Sequence, residues 1–313
     1  MPKNKPKNKN IEQIKKANLT WINIKKSGKA ELEAAAKKYN LLDVDIRDCL
    51  PPLQRPKLVE RPDYLFIVLL FPVYVRSTGK IESAEVDFFI TKNKLITVHE
   101  NKLLPLKELA EECQANPKAE AMCNNAAGLL IEILSRLFKY CYPMIIHIGQ
   151  DIDAVEEKVF EVHNSTNTFE ILRIKINIVE FRDSTDLHEG VIRKLIKKAP
   201  KFCDIKKLNS YLDSLVEHTT EIRDQLASYA VTISAIDNTH QSLINLRANQ
   251  IMKNLQIFAV IVFPLTLLAA VFGMNTLGAM PFINHVYGFW IILAIMLAGT
   301  FAMLMFFKSR KWF

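Results

Sequence analysis

From Asn238 onward, one face of the chain can be followed in alternating steps of four and three through Asn238, Ser242, Asn245, Asn249, Met252, Gln256, Ala259, Phe263, Thr266, Ala270 and Gly273. On a helix that spacing keeps one face toward a bundle axis. Carboxamides and hydroxyls in such a row offer hydrogen bonds to water or to a neighbouring helix. Small and polar side chains at a membrane helix interface also serve close packing. The row, however, begins as Asn, Ser, Asn, Asn, where a dimeric coiled coil would place Leu or Ile. A wet central channel fits it better. Enzyme chemistry is not written in the chain: it has no phosphate-binding glycine loop, no His-x-x-x-His and no paired nucleophile and base.

The elements that carry this row are set by charge. In a chain that is 24% charged, the 54 residues from Asn254 to Phe307 contain no Asp, Glu, Lys or Arg. Two spans of about 20 residues use up such a segment, the first from about Leu255 to Gly273 and the second from about Gly288 to Phe307. Arg247 and Lys253 precede the first span, Lys308, Arg310 and Lys311 follow the second, and the loop from Asn275 to Tyr287 has no basic residue. The positive-inside rule then places both termini in the cytoplasm and only the loop outside, as expected of a multi-pass protein of the cell (inner) membrane. Tyr287, Trp290 and Trp312 stand where interfacial aromatics would anchor the second span in the lipid bilayer.

Before the membrane, neither Gly nor Pro occurs from Lys201 to Phe263. Continued to Phe272 this predicts a helix of roughly 70 residues, about 105 Å long, a stalk packed against copies of itself. Residues 18 to 100 mix strand patterns, "LTWINI", "YLFIVLLFPVYV", "AEVDFFIT" and "KLITVHE", with the helix former "KAELEAAAKKY". From Leu103 the reading is helical, with breaks near Pro117, Pro143, Gly190 and Pro200. The opening "MPKNKPKNKN" has no apolar run behind it, so it reads as a disordered basic tail and not as a signal peptide. Solubility or attraction to anionic headgroups accounts for it, and no nucleic-acid binding is expected. Five scattered cysteines, with no C-x-x-C pair, fit a reducing cytosol.

The expected organisation is therefore a basic tail (1–17), a cytoplasmic α/β domain (18–140), peripheral helices (141–200), a stalk helix running into the first span (201–275), an extracytoplasmic loop (276–287), the second span (288–307) and a basic cytoplasmic tail (308–313).

"FGMNTLGAMPF" lies between the two spans and resembles the Gly-Met-Asn signature of the CorA family of magnesium channels. "NQIMKNLQIFAVIVFPLTLLAAVFGMN" resembles that family's pore helix, and "QRPKLVERPDYLFIVLLFPV" with "VDFFITKNKLITVHENK" resembles its N-terminal α/β domain. The resemblance implies a funnel-shaped homopentamer with five stalk helices forming the pore. It implies Mg²⁺ uptake down the electrochemical gradient, gated by intracellular Mg²⁺. By matching position, Gly273, Met274 and Asn275 form the selectivity entrance, and Asn275 meets the hydrated ion. Asn249, Met252, Leu255, Phe263 and Thr266 face the pore, with Met252, Leu255 and Phe263 as apolar constrictions. Periodicity selects Gln256 where the family pattern favours Leu255, and both are retained as pore-lining, with Asn245, Ala259 and Ala270. Mg²⁺ sheds its water reluctantly, so an entrance of carboxamide acceptors suits it.

Two departures qualify the resemblance. The loop reads Met280, Pro281, Phe282, with no acid between Asn275 and Tyr287, which leaves open a Zn²⁺, Co²⁺ or Ni²⁺ transporter on the same scaffold, with or without coupling to protons. His285 reads as a soft-metal ligand or as an interfacial side chain. At the position of the family's stalk sensor stands Asn238, with Asp237 pointing about 100° away. Asp213, Glu217 and Glu221 form an acidic row that reads as a sensor or as a solvated face.

Overall fold

The computed structural model describes residues 10–16, 18–25, 28–115, 125–159, 166–202, 208–274, 281–282 and 285–310. The chain divides into two units, Met1–Asp237 and Asn238–Phe313.

In the first unit the β-branched and aromatic runs form a six-stranded sheet of β1 (Ile11–Lys16), β2 (Leu19–Lys25), β3 (Lys57–Glu60), β4 (Leu65–Val75), β5 (Lys80–Ile90) and β6 (Lys94–His99). The strand order is β1-β2-β6-β5-β4-β3. Only β2 and β6 run parallel, and the other neighbours are antiparallel. The long β4–β5 pair runs in register from Leu65↔Ile90 to Val75↔Lys80, and its turn closes at Gly79, where φ is 65°. A side chain would be strained there.

Both faces of the sheet are covered, which is why β4 reads as an almost unbroken apolar run. Helices α1 (Lys29–Tyr39) and α2 (Asp43–Asp48) place Leu32, Ala35, Ala36 and Ile46 against Ile22, Ile24, Phe66, Phe89 and Val98. On the other face lie α4 (Ala126–Val159) and α5 (Thr166–Thr185), with α3 (Leu104–Ala115) packed on α4. Phe71 of β4 meets Phe138 of α4 edge-on at 5.5 Å. His188, which opens α6 (His188–Lys198), lies 4.9 Å from Phe71 and 5.5 Å from Phe138. Burial pushes its pKa down to about 4, so it is neutral at physiological pH.

Helix α7 (Asn209–Phe272) has 64 residues, a length of about 96 Å. Its first part belongs to the first unit, where Leu212, Leu215, Ile222, Leu226 and Ile233 form a buried seam. The second unit holds the rest of α7 and α8 (Gly288–Ser309). The sheet-and-helix N-terminal domain, the long helix and the two C-terminal apolar helices are as expected.

Several boundaries differ. Residues 11–16 of the expected tail form strand β1, paired along its whole length with β2; the Lys-rich residues before them lie outside the described residues. The stalk helix does not start at Lys201. A 3-10 turn at Ala199–Lys201 closes on Phe202, whose amide donates to Ala199 O at 2.9 Å, and the α-helix begins at Asn209. Pro143 is no break, because α4 runs through it with the ring on the exposed side, and this helix crosses the expected boundary between residues 140 and 141. Gly190 sits inside α6, and the break lies just before that helix. Pro117 lies outside the described residues.

Candidate functional site

All of the row from Asn238 to Phe272 stands on one uninterrupted helix, which passes Pro264 without ending. Ser242 Oγ donates to Asn238 O at 2.8 Å and Thr266 Oγ1 donates to Val262 O at 2.9 Å. Each hydroxyl proton is thereby spent inside the helix, and the oxygen is left as an acceptor, the polarity a cation or its water shell requires. Asn245, Asn249 and Gln256 are exposed carboxamides beside them.

The chain alone leaves both faces of this half of α7 uncovered. Phe263 in the row is 70% exposed and Met252 51%, while Leu255 is 62% and Leu267, off the row, 65%. Exposure in a single chain therefore does not separate a lumen face from a lipid face. It shows instead that much of this helix needs cover from outside the chain, although Ile257 is buried. Among the described residues, two helices are long and apolar enough to cross a membrane, one within α7 and one forming α8.

At the end of α7, Gly273 N–H donates to Ala269 O at 2.9 Å, and Met274 N–H closes a tighter turn onto Val271 O at 3.3 Å. A Cβ at position 273 would lie only 3.0 Å from Ala269 O. Glycine thus allows the close final turn, and Met274 projects at 58% exposure. Asn275 lies outside the described residues, so its place at the entrance is an expectation from sequence. His285 Nδ1 accepts the Tyr287 amide at 3.2 Å, which leaves only Nε2 for any other partner.

The regulatory candidates separate. Asp237 is taken: Lys175 of α5 donates to its carboxylate. Asn238 is exposed beside it. In the acidic row, Asp213 and Glu217 are exposed, and Glu221 accepts the Tyr142 hydroxyl, whose oxygen also meets His218 Nδ1 at 2.8 Å. Burial, then the Glu221 carboxylate, pushes the Tyr142 phenol upward. The peripheral carboxylate Asp151 is engaged with Arg173 at 3.1 Å. Among the described residues, no group of three or more His, Cys, Asp or Glu is arranged to hold a metal ion.

Lys175 and Arg173 are the carboxylate partners that sequence reasoning missed. Lys175 lies 62 residues from its partner, and a lysine in a helix reads as surface charge until the partner helix is placed.

The chain matches the family model described as CorA-like Mg²⁺ transporter protein over residues 16–309. It is similar to the cobalt/magnesium transport protein CorA of Thermotoga maritima, with 26% identity over 94% of this chain and 83% of the relative. It is also similar to the magnesium transport protein CorA of Wolinella succinogenes, with 25% identity over 95% and 92%. Its fold is similar to the solved complete structure of the CorA magnesium transporter from Methanocaldococcus jannaschii, at a TM-score of 0.82 and 21% identity, covering 95% of this chain and 92% of that one.

Proposed function

The chain belongs to the CorA family of Mg²⁺ transporters, and from that premise we propose that it carries divalent metal cations, Mg²⁺ foremost, down their electrochemical gradient through a pore lined by α7. The observation that carries this reading is the row of neutral acceptors and small residues on one continuous helix, from Asn238 to the Gly-Met-Asn sequence. Relatives named for cobalt and magnesium support Mg²⁺ and Co²⁺ as cargo over Ni²⁺ and Zn²⁺.

The uncovered α7 supports assembly from several copies, and the family resemblance supports a homopentamer. Both termini lie in the cytoplasm of a cell whose inner membrane the two spans cross, as the distribution of Lys and Arg supports. Asn275 is the first strong oxygen acceptor an arriving ion meets. Asn245, Asn249, Gln256 and Thr266 continue the polar path, and Met252, Leu255 and Phe263 narrow it. Hydrated Mg²⁺ passes such a mouth by hydrogen bonds from its water shell to carboxamide oxygens, which bind weakly enough to release it. Intracellular Mg²⁺ closes the pore by acting on the cytoplasmic side, and the pairing of Asp237 with Lys175 supports a sensor that lies elsewhere than Asp237.

Ion flux into proteoliposomes, comparing Mg²⁺, Co²⁺, Ni²⁺ and Zn²⁺ with and without a pH gradient, tests this. Fast Mg²⁺ entry that is indifferent to the pH gradient is expected. Zn²⁺ entry that requires the gradient, with no Mg²⁺ entry, would replace the reading with the proton-linked one.

A further inference from the structure

Asp87 of β5 is 2% exposed, and its Oδ1 has no hydrogen-bond partner among the described residues. Beside it lies Cys49, just past α2, whose thiol donates to Asp45 O at 3.2 Å. Glu85, two residues earlier on the same face of β5, is half-buried and accepts the backbone N–H of Gln54. Gln54 sits in the loop 51–56 between α2 and β3. Among the described residues that bond is the one hydrogen bond from the loop to the rest of the domain. The other, Gln54 Nε2 to Pro52 O at 2.9 Å, stays inside the loop.

The loop has room to move. A cavity of about 630 Å³ lies on one side, lined by Leu53, Ser83, Glu100 and Ile176. A second, of about 450 Å³, lies on the other, lined by Arg55, Leu70, Asp183 and Leu187. A strap held by one carboxylate, beside two cavities and tied to the strand that carries a buried acid with an unpartnered Oδ1, is poised to respond to whatever changes that carboxylate.

We propose that Glu85 and Asp87 form a proton-binding site that determines whether the loop 51–56 lies closed on β5. The largest influences on Glu85 set its charge. Burial is the largest influence and raises its pKa, the carboxylates of Asp48 and Glu100 raise it further, and the Gln54 amide and Lys57 lower it, with a net result of about 7. Asp87 is pushed well above the carboxylate range, first by burial and then by Glu85. Lifting the loop would admit water and return Glu85 toward its ordinary value of 4.5. The closed form therefore binds the proton more tightly than the open form. Linkage then requires that acid holds the loop closed and that raising the pH through about 7 favours release. The amide bond from Gln54 opposes this release without reversing it, since the net shift is upward.

Hydrogen–deuterium exchange on the full-length protein in detergent reads the loop directly. After correction for intrinsic exchange rates, protection at residues 53–57 is expected to fall about tenfold between roughly pH 6 and pH 8. In Glu85→Gln, which keeps an acceptor but no charge, protection is expected to stay at its acid level throughout. Lys57→Met is expected to move the wild-type midpoint upward, because it removes the cation that favours ionised Glu85. A flat wild-type profile, an unshifted midpoint in Lys57→Met, or a wild-type slope in Glu85→Gln would each overturn the proposal. If Glu85→Gln does not fold, the first two measurements decide.

Discussion

The two units of the chain solve opposite problems. Up to Asp237 the chain builds a core of its own, in which Trp21, Phe66, Phe71, Phe88 and Phe89 are fully buried, and several charged groups find partners within it, although Phe169 and Val231 stay exposed. Arg61 grips Asp45 through two bonds of 3.0 and 2.6 Å, and Glu60 holds both Lys198 and Lys201 at 2.6 Å. From Asn238 onward there is not one Asp or Glu in the sequence. There the large side chains lie open, with Phe289 at 70% and Phe301 at 71% exposure. A cation path built in such a segment cannot rely on carboxylates. In the proposed pore, selection falls to neutral oxygens and apolar constrictions, and cover to lipid and to other copies of the chain.

Equal truncations in the two units sharpen this contrast most. Phe71→Ala, in the sheet core, is expected to cost about 3–5 kcal/mol, seen as a lower thermal midpoint for the first unit. Leu267→Ala is expected to leave that midpoint unchanged. Similar losses from both would break the contrast.

A smaller effect, on flux alone, is expected at Phe263. Five aromatic rings at mid-span would close the path by dewetting, so Phe263→Ala is expected to raise basal leak several-fold, with assembly intact. Lower flux from an intact assembly would show that the ring is not a gate.

The smallest effects concern the junction of the two units. With Lys175 already on its carboxylate, Asp237→Asn is expected to change stability by under about 1 kcal/mol and to leave inhibition by internal Mg²⁺ nearly as it was. Asn238→Asp adds an unpaired carboxylate and is expected to strengthen inhibition. Titrating internal Mg²⁺ against flux checks both, and relief of inhibition in Asp237→Asn would return the sensor to that residue.

Much of this was legible because its signals are local. The runs "YLFIVLLFPVYV" and "KLITVHE" became β4 and β6, and the absence of Gly and Pro before Phe263 announced α7. What escaped depends on partners distant in sequence. "IEQIKK" buries only Ile14, so its pattern is too polar to read as a strand, and β2 supplies the pairing that makes it β1. "KLVE" is four half-buried residues, and it becomes β3 only against β4. Pro143 was read as a break because a proline inside a helix removes a hydrogen bond, a cost that is reduced where water can satisfy the freed carbonyl. The aromatic and β-branched residues of "AEVDFFIT" announced β5, but nothing in the string showed that Asp87 would be buried. The expected pore face rests on periodicity and on resemblance, and no contact within the single chain orients it.

The initial rate of Mg²⁺ uptake into proteoliposomes by Asn275→Ala tests the central claim most directly. The substitution lies beyond the packed apolar spans, so the assembly is expected to elute as the wild type does. Uptake is expected to drop to near background, because every copy loses its acceptor at the mouth at once. Asn275→Asp keeps the shape and an oxygen acceptor but adds a charge, so it tests whether the neutral carboxamide is required. It is expected to slow or broaden conduction, as close carboxylates hold a divalent ion too firmly or shift their pKa values upward. Normal, Mg²⁺-selective uptake by both variants would contradict selection by neutral oxygens at Asn275.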